Sequence, residues 1–253
     1  MTHATVSSLG ERALIARITA RLVMPPWVVV GPGDDAAVLQ PERGALEVLT
    51  TDAHVDGVHF DLRFAPPEAL GHRALAVNLS DLAAMGAAPR AALLSLLLPD
   101  SLTVDVVDRM MDGLLALAAK YRVAIIGGNI TRTTGPLAVD VTAVGTVGPR
   151  RALTRGGARA GDEVYVTGTL GDAAVGLSSL RDGAASGQAS VERYLYPDPR
   201  VRAGLLLGRN RAASSCMDLS DGLADAVRQV AEASRVGIII EEDAIPISTE
   251  VRT

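Results

Sequence analysis

Ala45-Leu46-Glu47-Val48-Leu49-Thr50-Thr51-Asp52-Ala53-His54-Val55-Asp56-Gly57-Val58-His59-Phe60 runs from a loosely alternating apolar stretch into a polar one. The alternation over residues 45–49 predicts a strand. Thr50, Thr51 and Asp52 would then emerge at its end, where α/β proteins commonly place ligands. Oxygen ligands gathered there suit a hard cation. Three other turns repeat the theme: Gly31-Pro32-Gly33-Asp34-Asp35-Ala36, Asn78-Leu79-Ser80-Asp81-Leu82, and Met217-Asp218-Leu219-Ser220-Asp221-Gly222. Each sets small and acidic residues between apolar ones, and together they would make one polyanionic pocket that needs cations.

The chain has 253 residues, of which 48% are hydrophobic, enough for one large domain or two ordinary ones. A net charge of −5 leaves no broad basic face, so nucleic acid is not an expected partner. The single cysteine, Cys216, can form no internal disulfide, and its apolar neighbourhood suggests a buried thiol in a reducing compartment. No run of 18 or more apolar residues and no signal-peptide pattern occurs, so the expectation is a cytoplasmic protein without a membrane partner. Lys120 is the only lysine, and no Gly-Lys-Ser/Thr P-loop exists. Phosphates would have to be neutralised by metal and arginine.

Along the chain, residues 7–22 read as an opening helix capped by Ser7 or Ser8, and residues 27–30 as a short strand. Pro66-Pro67 starts a helical region, and Ser80 is expected to cap a separate helix through Met85, with Asp81 favouring its N-terminal dipole. A buried strand over 91–98, a helix over 104–121, a strand over 123–126 and a long strand over 137–147 follow. Gly127-Gly128 is expected to let a ligand approach closely. The arginine-rich stretch 150–159 marks a domain boundary. A second α/β unit opens with a strand at 162–167, has a flexible connection over 181–190, and closes with a strand at 238–240. The domains are thus 1–148 and 149–253, the second apparently incomplete. His54 and His72 read as structural or surface histidines.

In this order the motifs resemble the thiamine-monophosphate kinase family of the PurM-like group: Gly31-Pro32-Gly33-Asp34-Asp35-Ala36, Thr51-Asp52 through Gly57-Val58-His59-Phe60, Asn78-Leu79-Ser80-Asp81, Ile126-Gly127-Gly128, Ala152-Leu153-Thr154-Arg155, Val166-Thr167-Gly168-Thr169-Leu170-Gly171 and Asp218-Leu219-Ser220-Asp221-Gly222. The resemblance implies an α/β (α+β mixed-sheet) fold in two domains, and a homodimer through first-domain sheets. It implies that Asp35, Thr50, Thr51, Asp52, Asp81, Asn129, Asp218 and Asp221 hold several Mg²⁺ ions. Metal-assisted in-line transfer would centre on Asp52, Asp81 and Asp218. Gly128, Asn129, Arg155 and Ser220 would serve ATP, and His59 would face the substrate. Asp34 would turn its loop rather than bind metal. Asn129 stands where the family usually has Asp, which implies a more weakly held metal. The family's later Gly-Glu-Asp-Tyr-Glu-Leu segment and a distal aromatic are absent.

The implied reaction moves the ATP γ-phosphoryl group to thiamine monophosphate. Its nucleophile, a phosphate oxygen with a second pKa near ~6, is already ionised and needs no general base. What it needs is charge neutralisation and in-line geometry, which accounts for acids and hydroxyls without a demanded Lys or Cys. Two alternatives stand beside it. One is another PurM-like enzyme of the selenophosphate or aminoimidazole ribonucleotide synthetase type; the other is a non-catalytic nucleotide-binding fragment.

Overall fold

The computed structural model describes residues 4–183 and 188–252, so part of the connection expected at 181–190 lies outside the described residues. The chain divides into two compact units, residues 1–79 with 89–146, and residues 80–88 with 147–253.

The first unit opens with helices α1 (Val6–Leu9) and α2 (Glu11–Thr19). The single helix expected over 7–22 is broken at Gly10, whose φ of 83° lies outside the helical region. Thr5, not Ser7 or Ser8, caps α1, in a reciprocal capping box with Ser8. Strands β1 (Val28–Val30) and β2 (Val38–Leu39) form an antiparallel pair. The main sheet holds β3 (Leu46–Val55), β4 (Ala88–Pro99), β5 (Ala124–Thr133) and β6 (Ala138–Val147) in the order β3-β6-β4-β5. β4 and β5 are parallel and joined by α4 (Val104–Tyr121), a βαβ unit. Thr103 caps α4 through a bond from Val106 N–H, and its apolar stripe Val107, Met110, Met111 and Leu114 is fully buried.

α3 (Pro67–Ala84) packs against α4 through two glycines. A Cβ on Gly71 would lie 1.8 Å from the Met110 carbonyl oxygen, and one on Gly113 would lie 1.9 Å from that of Glu68. Beside this crossing, Arg109 of α4 holds Glu68 of α3 with two bonds of 2.7 and 2.9 Å. The other sheet face is closed at one end by Trp27, Val28, Ala37 and Leu39 against Ala91, Ala124 and Ile126.

In the second unit α5 (Asp172–Asp182), α6 (Gln188–Leu195), α7 (Val201–Asn210), α8 (Leu223–Ser234) and α9 (Thr249–Arg252) carry most of the regular structure. α5 extends to Asp182 and α6 begins at Gln188, so the ends of the expected flexible connection are helical. The strands expected at 162–167 and 238–240 do not form among the described residues. Both segments lack a paired neighbour there, and their apolar side chains stand in solvent, Tyr165 at 84% and Ile239 at 89% exposed.

Candidate active site

In the second unit the terminal part of α3 meets the segment around Asp218. α3 runs unbroken from Pro67 to Ala84, so Ser80 and Asp81 lie near its C-terminal end rather than at a fresh N-terminus. That corrects the capping expectation. At the negative end of the helix dipole a carboxylate is disfavoured, so Asp81 is not placed there for helix stability. α7 supports this end of α3: a Cβ on Gly204 would sit 2.0 Å from the Ala83 carbonyl oxygen, so the backbones touch.

The Ser80 hydroxyl donates to Asp218 Oδ2 at 3.2 Å. The Asp218 carboxyl is held above the usual carboxylate range, by burial first and then by the negative charge of Asp81, against the Ser80 bond and the Arg155 charge. The Cys216 thiol is pushed up by burial and by Asp218. Backbone bonds fix the segment: Leu153 N–H donates to the Met85 carbonyl at 3.1 Å, and Cys216 N–H to that of Thr154 at 2.9 Å. The Arg155 carbonyl accepts from Ser215 at 2.6 Å and Ser234 at 3.2 Å, while its guanidinium bonds Gln229 of α8. Ser220 and Asp221 follow on an exposed bend before Gly222.

In the first unit β3 runs on to Val55, so Thr50, Thr51 and Asp52 lie within the strand and not at its end. The polar residues do not stop it, because extended backbone tolerates threonine well and β6 pairs alongside. Successive side chains therefore alternate. Thr50, Asp52 and His54 share the more covered face, while the Thr51 hydroxyl on the opposite face lies 3.1 Å from both Asp140 Oδ1 and the Thr142 hydroxyl. The three head residues cannot turn their side chains to one ion. Asp140 was not anticipated; an isolated acid in the alternating run 137–147 was its only signal.

Gly128 and Asn129 also lie within a strand, β5, with Asn129 registered against Ser95 of β4. The visible demand for glycine at 128 comes from β4: a Cβ would fall 1.8 Å from the Leu94 carbonyl oxygen. The close approach expected of a ligand is thus already made by a neighbouring strand. Asp35 is exposed, and its N–H donates to Asp34 Oδ1 at 2.9 Å, the local bond of a loop-turning aspartate.

His54 is 5% exposed, and its Nδ1 has no hydrogen-bond partner. Burial, then the Arg73 charge, then His59 lower its pKa to about 4. The unfolded chain takes up this proton near pH 6.5 while the folded one resists it, so stability falls as pH drops from about 6.5 to about 4. Replacing His54→Leu in chelator should flatten that loss, which amounts to roughly 3 kcal/mol at the acid end of the window. Urea unfolding at several pH values would show it; an unchanged pH slope would exclude His54 as the source.

Among the described residues no three His, Cys, Asp or Glu side chains cluster tightly enough to hold a metal by themselves. Mg²⁺ commonly takes one or two carboxylates and completes its shell with water and substrate phosphates. The Asp81–Asp218 pair fits that habit: two hard oxygen donors crowd each other, one of them half-buried, and a cation would relieve both repulsion and desolvation.

Residues 33–147 match the family model "AIR synthase related protein, N-terminal domain", and residues 159–253 its C-terminal counterpart. This two-domain α/β protein is therefore of the AIR-synthase-related class. Curated relatives narrow it: thiamine-monophosphate kinase of Bacillus subtilis is 39% identical over 96% of this chain and 76% of its own length. That of Escherichia coli strain K12 is 42% identical over 94% and 74%. The chain belongs to the thiamine-monophosphate kinase family. The crystal structure of thiamine-monophosphate kinase from Stenotrophomonas maltophilia superposes with a TM-score of 0.84 at 42% identity, over 94% of this chain and 77% of that one. AaThiL complexed with AMPPCP and TMP gives 0.77 at 36% identity, over 96% and 76%.

Proposed function

We propose that this chain transfers the γ-phosphoryl group of ATP to the phosphate of thiamine monophosphate, giving thiamine diphosphate and ADP, with Mg²⁺ as the metal. The observation that carries the reading is the locus where Ser80 bonds a half-buried Asp218 whose carboxyl feels the charges of Asp81 and Arg155. The names of the relatives, and the neighbour bound to AMPPCP and TMP, support the same substrates.

The phosphate oxygen of the acceptor attacks, the bond to the ADP leaving oxygen breaks, and no proton need be removed from the nucleophile at neutral pH. Bound Mg²⁺ would supply charge neutralisation between two polyanions. Several such ions would be held, in the first unit by Asp35, Thr50, Asp52 and Asn129 and in the second by Asp81, Asp218 and Asp221, and Thr51 would contribute through backbone, since its side chain is engaged on the other sheet face. Arg155, whose guanidinium bonds Gln229 while its carbonyl accepts from Ser215 and Ser234, would bring a positive charge to the nucleotide. Gly128 and Ser220 complete the nucleotide side, and His59 serves the acceptor. Domain limits near 148 go with this reading.

A homodimer through the first-unit sheet belongs to the reading too, supported by the open apolar side chains Leu49 and Leu93, 64% and 36% exposed. A monomer at all concentrations in sedimentation equilibrium would remove it. ATP as co-substrate supports a cytoplasmic setting. No helix among the described residues is long and apolar enough to cross a membrane.

The deciding experiment is thiamine diphosphate formation by the 253-residue chain with ATP, Mg²⁺ and thiamine monophosphate. Turnover is expected. Nucleotide at about 100 times its Kd, with Mg²⁺, should also stabilise the fold by about 2.7 kcal/mol. Binding without turnover would leave a nucleotide-binding protein and overturn the catalytic assignment.

A further inference from the structure

Arg90 stands early in β4, and its guanidinium reaches both ends of the short β1–β2 hairpin. It lies over the Trp27 ring, 4.4 Å from the centroid, and its Nη2 donates to the Gln40 carbonyl oxygen. Trp27 immediately precedes β1 and Gln40 immediately follows β2, and Gln40 N–H donates to the Trp27 carbonyl at 2.8 Å. One side chain thus spans the base of the hairpin. The pairing within it is slight. Val28 pairs with Leu39 and Val30 with Val38, with an irregular register between them, and so short a ribbon is marginal by itself. Its apolar side chains Trp27, Val28, Ala37 and Leu39 rest on Ala91, Ala124 and Ile126, two alanines and an isoleucine that offer few ridges to lock into. Apolar burial attracts without setting direction, whereas a guanidinium fork does set it. At the far end of the hairpin, residues 31–37 carry Asp34 and Asp35, both exposed, and the bond from Asp35 N–H to Asp34 is internal to that turn.

We propose that Arg90 is a positioning residue: by clamping the base of the hairpin against β4 it sets where the 31–37 turn presents Asp35, and so how tightly the Mg²⁺ assigned to Asp35 is held. The proposal rests on that metal reading of Asp35. A carboxylate serves an ion fully only when its place is set beforehand, because ordering a turn at the moment of binding subtracts from the affinity. Arg90 acts through the hairpin and not on the ion. Its Nη1 is buried with no hydrogen-bond partner among the described residues, a cost that the negative face of the Trp27 ring offsets. Lysine, a point charge on a flexible stem, has no fork with which to cover the ring and reach the Gln40 carbonyl together.

The test uses the full chain. Trp27 is its only tryptophan, so emission reports the clamp directly. In chelator, Arg90→Met, which keeps the aliphatic stem, should open Trp27 to acrylamide quenching and speed amide exchange across residues 27–40 about tenfold, the worth of one hydrogen bond, with exchange in α4 unchanged. Calorimetric titration of Mg²⁺ into protein saturated with a non-hydrolysable ATP analogue should show about tenfold weaker binding, and in turnover excess Mg²⁺ should restore kcat. Asp35→Ala should weaken Mg²⁺ as well, and adding Arg90→Met to it should cost nothing further. Arg90→Lys should fall between wild type and Arg90→Met, and it carries the same comparisons if Arg90→Met does not fold. Wild-type quenching and exchange in Arg90→Met, or wild-type behaviour of Arg90→Lys throughout, would overturn the clamp. A loosened hairpin with unchanged Mg²⁺ affinity, or additive losses in the double variant, would overturn the positioning role. Unchanged Mg²⁺ affinity in Asp35→Ala, or no Mg²⁺ uptake by the wild type, would instead overturn the metal reading and the positioning role with it, while quenching and exchange still judge the clamp.

Discussion

Asp218→Asn is expected to lower kcat for thiamine diphosphate formation by about 10²–10³-fold, the usual cost of one well-placed electrostatic group, and at the same time to raise the melting temperature of the ligand-free protein. The two effects have one cause. Folding takes the Asp218 carboxylate partly out of water and sets it beside Asp81, so its ionised form is disfavoured and its pKa rises. A carboxyl bound more tightly to its proton in the folded state costs stability once pH climbs past the unfolded value near ~4. The amide removes that cost and keeps a partner for Ser80, which donates to Oδ2 at 3.2 Å. It also removes the negative charge that a cation would meet. Asp81→Asn should lose activity comparably and relieve the same repulsion. Thermal unfolding in chelator, beside steady-state kinetics, reads both quantities. If Asp218→Asn kept wild-type kcat, the catalytic locus would have to be placed elsewhere; if it lowered apo stability, Asp218 would be a structural residue.

Gly71→Ala should be among the most destabilising single methyls in the first unit. Its Cβ would lie 1.8 Å from a backbone oxygen and 2.9 Å from a backbone nitrogen of α4, neither of which can rotate aside. Relief requires α3 and α4 to part, which opens space among Leu75, Leu79, Met110 and Leu114, all fully buried. Overpacking of this kind costs about 1–3 kcal/mol and more where backbone must move. Gly113→Ala, 1.9 Å from the Glu68 carbonyl oxygen, should match it. Gly237→Ala is the control, since nothing lies within 4 Å of its Cβ position. Equal melting temperatures for Gly71→Ala and Gly237→Ala would show that the helices yield without cost.

Some elements were legible because local pattern and tertiary demand agree. α4 occupies the predicted residues 104–121, since its apolar stripe, capping threonine and flanking turn all point one way. β6 falls within the predicted 137–147, and β4 adds three residues before and one after the predicted 91–98. The misreadings share a different cause. Ser80 looks like a cap and Thr50-Thr51-Asp52 looks like a strand end only while neighbours are unknown. Packing of α3 on α4, and pairing of β3 with β6, carries each element through its polar residues. The strands expected at 162–167 and 238–240 failed in the opposite direction, for want of a paired neighbour.

The candidate site divides along the same line. Motif order, through the resemblance it carries, nominated the acids, Arg155 and His59 as candidates. Sequence could not say which of them share a face. Alternation along β3 sends Thr51 away from Asp52 and toward Asp140, and only a ladder with fixed register decides that. Nor could it reveal that Asp81 sits at the disfavoured end of a helix beside a half-buried Asp218. Composition and order therefore determined the chemistry available to this protein. Burial, electrostatic proximity and hydrogen-bond direction depend on neighbours distant in sequence or on the exact turn of the chain, so tertiary structure alone decided which groups are buried, which are paired and which share a face.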